Sequence, residues 1–152
     1  MRTKMMEISH VPDIAMQLDT TASRQVVVDA LTSQTGLAAW WTNTVEVAPG
    51  VGGMVKPSFA AAPLPFDLRV DESTATRVVW RTLSFPPHWV GTQIRWELSD
   101  APENAGTRVL FTHAGFHADD AEMPSAAFTW GQCLGRLQKY TESGTPQPYF
   151  VS

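Results

Sequence analysis

Four stretches of this chain alternate residue by residue between apolar and polar side chains, and this period of two constrains the fold more than any other feature. In Phe66-Asp67-Leu68-Arg69-Val70-Asp71, the residues Phe66, Leu68 and Val70 face one way and Asp67, Arg69 and Asp71 the other, as successive side chains of a β-strand must. The period continues through Val78 and Trp80, through Ile94, Trp96 and Leu98, and through Val109, Phe111 and His113. Arg77, Arg81, Arg95, Glu97 and Arg108 take the opposite parity. Turn chemistry separates the runs at Pro49-Gly50, Gly52-Gly53, Pro63-Leu64-Pro65, Asp71-Glu72-Ser73, Pro86-Pro87 and Asn104-Ala105-Gly106. Residues 42–115 therefore read as an antiparallel meander of about six strands, with one apolar face and one wet face.

Such a sheet has to cover its apolar face. The cover comes at the end of the chain, where Met123-Pro124-Ser125 opens a helix with Pro in its first turn and Ser143-Gly144 closes it. Ala127, Trp130, Leu134, Leu137 and Thr141 recur there at three- and four-residue intervals, with Phe128 flanking; Gln132, Arg136, Gln138 and Lys139 fall mostly opposite. Ahead of the meander, a loose alternation of Ile8, Val11, Ile14 and Met16 around Pro12 predicts a first strand over residues 5–16. Asp19-Thr20-Thr21 offers N-cap side chains to a short helix in which Val27, Ala30 and Leu31 repeat. Gly36 breaks that pattern, and Leu37-Ala38-Ala39-Trp40-Trp41 reads as a second short helix. The expected class is α+β, in a single domain over residues 1–152.

Composition narrows the function. With 152 residues, 43% hydrophobic and 17% charged, the chain has material for a core and too little charge for disorder. Eleven Lys and Arg against fifteen Asp and Glu leave a net charge of −4 without a basic cluster, so nucleic acid is not an expected partner. No apolar run approaches the ~20 residues of a membrane-spanning helix, and membrane insertion is not expected. Glu7, Ser9, His10 and Pro12 interrupt the start before a signal peptide's apolar region could form. A lone cysteine, Cys133, excludes an intramolecular disulfide and suits a reducing cytoplasm. Six Trp and seven Phe are the unusual feature, since aromatic rings fill cores or line ligand pockets.

The order of elements, with particular residues, resembles the START-like superfamily called SRPBCC, whose helix-grip fold wraps a curved antiparallel sheet around a long C-terminal helix. The branch that it most resembles is named for the activator of the heat-shock-protein-90 ATPase. The likeness is carried by Val28-Asp29-Ala30-Leu31-Thr32 with Gly36-Leu37-Ala38-Ala39-Trp40-Trp41, and by Phe66-Asp67-Leu68-Arg69-Val70 leading to Arg77-Val78-Val79-Trp80. Gly106-Thr107-Arg108-Val109-Leu110-Phe111-Thr112-His113-Ala114-Gly115-Phe116 resembles the branch's last strand, and residues 130–140 its closing helix. The loop Pro86-Pro87-His88-Trp89 matches no family pattern. The resemblance implies a cavity between sheet and helix in which members bind apolar or amphipathic small molecules, and it implies pairing as a homodimer in several bacterial members. It implies no cofactor.

Inward parity nominates Phe66, Leu68, Trp80, Trp96, Phe111 and His113 from the sheet, and Trp130, Leu134 and Leu137 from the helix, as lining of that cavity. For the Phe and Leu residues core filling is the commoner reading; for Trp80, Trp96 and Trp130 the indole N–H, which needs a partner when buried, brings the cavity level with it. His113 is either a hydrogen-bonded core histidine or a polar anchor. Its spacing to His117, Asp119 and Asp120 suggests ligands on paper, but a strand carries residues four apart to about 13 Å, and no metal site is expected. The outward arginines read as cross-strand ion pairs; a β-bulge reversing one strand would bring Arg81 or Arg95 inside. Cys133 reads as an inert, half-buried thiol, and one of Trp40 and Trp41 as exposed or at an interface. No residue is assigned a catalytic role. The expected function is binding of a small hydrophobic or aromatic molecule. A polyketide cyclase- or aromatase-like enzyme using His113 or an inward Arg, and a chaperone-ATPase-activator-like interaction module, are the alternatives; the further N-terminal domain of eukaryotic activators is not seen here, which weighs against the last.

Overall fold

A computed structural model describes residues 12–117 and 121–152. Strand β1 (Ile14–Thr20) leads to helices α1 (Arg24–Thr32) and α2 (Gln34–Trp40). Strands β2 (Val45–Ala48), β3 (Met54–Pro57), β4 (Leu68–Ser73), β5 (Arg77–Thr82), β6 (Gln93–Asp100) and β7 (Thr107–Ala114) follow, then helix α3 (Met123–Ser143). The strands form one seven-stranded sheet in the order β1-β7-β6-β5-β4-β3-β2, antiparallel throughout. Because β1 pairs with β7 at one edge and β2 lies at the other, α1 and α2 carry the chain across the sheet. Helix α3 packs on β1, α1 and α2, and the whole is a helix-grip arrangement of the α+β class.

Alternation is what makes these strands, and the register shows it. Trp96 lies between Val78 on β5 and Phe111 on β7, and Ile94 between Trp80 and His113; all six are buried. The opposite parity carries Arg77 with Glu97 and Glu72 at 3.1 and 3.2 Å, and Arg108 with Asp19 at 2.9 Å. Asp71 takes Arg69 at 2.7 Å and Arg81 at 3.2 Å. Hydrogen bonds from Arg69 first, then Arg81, hold the Asp71 carboxyl below its usual range. A bulge does occur, between Val70 and Glu72, yet Arg81 stays outside, donating also to the Gly91 carbonyl at 3.0 Å, and Arg95 donates to Gln93 at 2.8 Å.

Several local expectations are corrected. The first strand runs over Ile14–Thr20 rather than 5–16; Ile8 and Val11 lie outside the described residues. Thr20 is thereby drawn into the ladder, and Ser23 caps α1, accepting from the Val26 N–H at 3.3 Å. Asp71-Glu72-Ser73 continues β4 past the bulge instead of turning. Gly36 lies inside α2: a Cβ there would sit 2.5 Å from the Asp29 carbonyl oxygen and 2.7 Å from the Ala30 Cα, so the glycine serves close approach of α2 to α1. Ser33 makes that corner, donating to the Asp29 carbonyl at 2.8 Å while accepting from the Gly36 N–H at 2.9 Å. Helix α3 starts and stops where expected, with Gly144 left-handed at φ 75°.

The tail beyond α3 turns back as a strap. Gln147, Tyr149 and Phe150 donate their N–H groups to the carbonyls of Ala39, Trp40 and Trp41 at 2.8, 3.0 and 2.9 Å, and Asn43 returns one to Phe150 at 3.1 Å. Arg136 on α3 holds it by donating to the Gln147 and Pro148 carbonyls and lying 5.7 Å over the Tyr149 ring.

Candidate aromatic binding site

The space between sheet and helix, expected as a cavity, is filled by rings. Trp96 packs against Trp40 at 5.8 Å, Trp80 at 5.6 Å, Phe111 at 4.8 Å and Trp130 at 6.0 Å between ring centroids. Aromatic pairs of this kind each contribute about 0.5–1.5 kcal/mol beyond area burial. Leu68, Trp80, Trp96, Phe111, His113, Leu134 and Leu137 all belong to this buried core. Of the nine nominated residues, Phe66 and Trp130 alone are in the wall of the hollow described next.

An apolar bowl of about 420 Å³ opens at the end of the grip, between the first half of α3, the loops at 58–67 and 83–92, and the strap. Trp41, Phe59, Phe66, Trp89, Trp130 and Phe150 form its aromatic wall, with Ala61, Ala62, Ala126 and Cys133 between them and His88, Glu122, Ser125 and Thr129 as its polar groups. The first loop is pinned at its ends: Thr42 Oγ1 donates to the Ser58 carbonyl at 2.8 Å and the Phe66 N–H to the Pro57 carbonyl at 2.9 Å. Phe59 and Phe66 close it ring to ring at 4.6 Å, and Phe150 of the strap meets Phe59 at 4.7 Å.

Asp67 positions the second loop. Its carboxylate accepts from the N–H groups of Ser84 and Phe85 at 2.9 and 2.8 Å and from the Ser84 hydroxyl. Burial raises its pKa, but these bonds outweigh burial and hold it below its usual value. A cis bond joins Phe85 to Pro86, and a 3₁₀ turn over Pro87–Trp89 delivers Trp89 to the bowl. Trp89 stacks on Trp130 at 6.0 Å and 17°, and meets Phe66 at 5.1 Å. The buried indole N–H groups of Trp89 and Trp96 have no acceptor among the described residues, an arrangement that costs about 1–3 kcal/mol each.

Beneath the bowl a hydrogen-bond chain fixes its floor. Trp130 Nε1–H donates to His113 Nδ1 at 3.1 Å, which requires the neutral ring protonated at Nε2. His113 Nε2 then donates to Thr92 Oγ1 at 2.8 Å, and Thr92 to the Trp89 carbonyl at 2.6 Å. Burial first, and His88 second, push the His113 pKa down to about 3. His113 is thus a neutral pin between Trp130 and the Trp89 loop, with both nitrogens engaged. His117, four residues on, is exposed, while Asp119 and Asp120 lie outside the described residues. Burial pushes the Cys133 thiol up to about 12, so it stays protonated; it is fully buried rather than half-buried.

Trp40 and Trp41 are both buried within the chain, against the expectation that one is exposed or at an interface. They end α2, where successive residues differ by about 100° rather than by the half-turn of a strand. Trp40 Nε1–H donates to the Ala30 carbonyl at 2.9 Å, and Trp41 lies parallel to both Trp40 and Trp80 at 5.8 Å. Phe59, Trp89 and Phe150 escape a sequence reading because loops and tails have no period to assign them a side. A clustering of rings beside Pro63-Leu64-Pro65 and Pro86-Pro87 is the only available signal. A larger, shallow hollow of about 670 Å³ near Thr21 and Gly106 is polar, and its Arg24 is tied to Asp100 at 2.8 Å.

Comparison with known proteins agrees with this architecture. The solved dimer of Aha1 from Colwellia psychrerythraea is 30% identical, with a TM-score of 0.79, over 88% of this chain and 98% of that one. A Staphylococcus saprophyticus protein is 16% identical at a TM-score of 0.72, over 91% and 98%. DynU16, from the dynemicin biosynthetic locus, is 22% identical at 0.74, over 94% of this chain and 52% of its own; these two share the fold. Among curated proteins nothing matches. The family described as Activator of Hsp90 ATPase homolog 1-like protein matches residues 21–142, and the chain belongs to that family.

Proposed function

We propose that this protein binds a small apolar or aromatic molecule in the bowl, as one START-like domain spanning residues 1–152. The observation that carries the reading is the wall itself: six rings around an open hollow of about 420 Å³ with few polar groups, which is how small-molecule sites are usually built. Among the described residues no helix is long and apolar enough to cross a membrane, and a cytoplasmic setting belongs to the same reading.

Native mass spectrometry before and after denaturation, followed by tryptophan fluorescence titration with fatty acids, flavonoids and aromatic polyketides, tests it. Saturable quenching that weakens at least tenfold in Trp89→Ala is the expected result. A monodisperse protein silent to the whole panel would overturn it. The cyclase-like alternative gains no acid or base from His113, whose nitrogens are both engaged. An interaction role rests on the Aha1 relative, which is a dimer; light scattering of the purified chain checks whether this one pairs likewise.

A further inference from the structure

We propose that the strap is the gate of the bowl: it undocks about Gly144, takes Phe150 out of the wall and opens a way to Cys133. Its purpose rests on the reading of the bowl as a ligand site; its motion does not. Residues 145–152 include no fully buried side chain. They are held by hydrogen bonds at the surface: Gln147, Tyr149 and Phe150 on the carbonyls at the end of α2, Ser152 paired with the Asn43 side chain at 3.0 and 3.3 Å, and Arg136 on two strap carbonyls. Segments with few buried apolar contacts and exposed backbone bonds open at the lowest free energy in a fold. The other walls are better fixed. The loop at 83–92 is tied by Asp67 to Ser84 and Phe85 and by the buried Trp89, and the loop at 58–67 is pinned to Thr42 and Pro57. Phe66 meets Phe85 and Trp89 as well as Phe59. Among the described residues, Phe150 meets the other rings of the wall through Phe59 alone, its second ring neighbour being Tyr149 of the strap itself.

A hinge and a shielded thiol adjoin the strap. Gly144 joins it to α3 at φ 75°, with nothing within 4 Å of the place a Cβ would take, so a pivot there meets no packing. Thr145 and Pro146 after it are exposed. Undocking at this point hands the strap N–H groups and the α2 carbonyls to water, which replaces the bonds they lose. Cys133 forms part of the wall yet is only 1% exposed, so solvent does not reach a residue that lines an open hollow. Arg136, one turn further along α3, grips the strap, and its charge reaches the thiol. Docked, the strap and Phe150 close this side of the bowl; undocked, they leave it open to a small apolar molecule. A ligand seated against Phe150 holds the strap down, and by linkage the docked strap strengthens the hold on the ligand by the same factor.

Cys133 is the chain's one cysteine, so its alkylation by N-ethylmaleimide, a small neutral reagent, followed by mass on the folded full chain, reports the opening. Arg136→Ala, which releases the latch, and Phe150→Ala, which removes the ring, are each expected to raise the rate by about fivefold or more. Loss of the Arg136 charge by itself disfavours the thiolate and slows alkylation, so an increase in that variant reports opening. Val109→Ala, a core truncation on β7 away from His113, lowers global stability and is expected to leave the rate within about twofold. Hydrogen exchange of the wild type is the second measurement: the amides of Gln147, Tyr149 and Phe150 are expected to exchange together, and faster than those of β6 and β7. A rate unmoved in either strap variant overturns the gate. So does a rise in Val109→Ala as large as theirs, which makes the opening global, and so do strap amides protected as strongly as those of β6 and β7. A ligand panel silent in fluorescence overturns the function of the bowl and not the gate, whereas an unmoved thiol rate overturns the gate and not the bowl.

Discussion

His113 shows most clearly how a residue's surroundings settle its chemistry. A histidine that keeps both nitrogens in neutral hydrogen bonds beneath an aromatic wall can neither take nor give a proton near pH 7. Its folded-state pKa of about 3 lies below the ordinary 6.5, so the unfolded chain protonates first. Stability from this group is complete above about pH 6.5 and is lost as pH falls toward 3, at about 1.4 kcal/mol per unit while the window lasts. Urea unfolding of the wild type at several values between pH 7 and 4.5 is expected to show that slope, and His113→Phe to flatten it. The same variant leaves the Trp130 N–H without its acceptor and is expected to cost about 2–3 kcal/mol at pH 7; an unchanged midpoint would show that the chain from Trp130 to Trp89 carries no stability. Inward parity was legible for His113 in the sequence. Its partners were not, because Thr92 and Trp130 arrive from a loop and a distant helix.

At the scale of elements, the junction between α1 and α2 and the strap behind them position the bowl. Gly36→Ala would improve intrinsic helix propensity by about 1 kcal/mol, but a Cβ at 2.5 Å from the Asp29 carbonyl oxygen forces the two helices apart. Denaturant unfolding is therefore expected to report net destabilisation, and a stabilised variant would show that α2 can shift at no cost. The strap makes a second prediction. Ending the chain after Pro146 removes Phe150 from the wall and returns the carbonyls of Ala39, Trp40 and Trp41 to water. A fall in thermal midpoint of several degrees and a weakened ligand response in titration are expected, since 1 kcal/mol moves the midpoint by about 2–4 °C in a domain of this size. Boundaries of α3 followed from caps and turn residues, and the inward parity of β4–β7 from period, whereas β1 and the end of β4 fell elsewhere than the sequence placed them. The strap carried none of these signals, and its docking depends on carbonyls left over at the end of α2.

Over the whole molecule, the core and the bowl divide the aromatic residues between two tasks. Trp40, Trp80, Trp96 and Phe111 fill the grip, and Trp41, Trp89 and Trp130 link that packing to an open site. Occupation of the bowl is expected to stabilise the fold by about 2.7 kcal/mol at a ligand concentration a hundredfold above its Kd, measurable as a rise in the thermal midpoint that Trp89→Ala cuts by about half or more. By itself the sequence determined the antiparallel meander, the wet arginine face, the covering helix and the resemblance to the family, because alternation, helical period and turn chemistry are properties of neighbouring residues. Only the tertiary structure decided that the grip is packed solid and that the hollow lies at its mouth. Ring packing depends on the shapes that distant segments present to one another, and the residues that shape the bowl, Phe59, Trp89 and Phe150, come from loops and a tail in which no local period sets a direction.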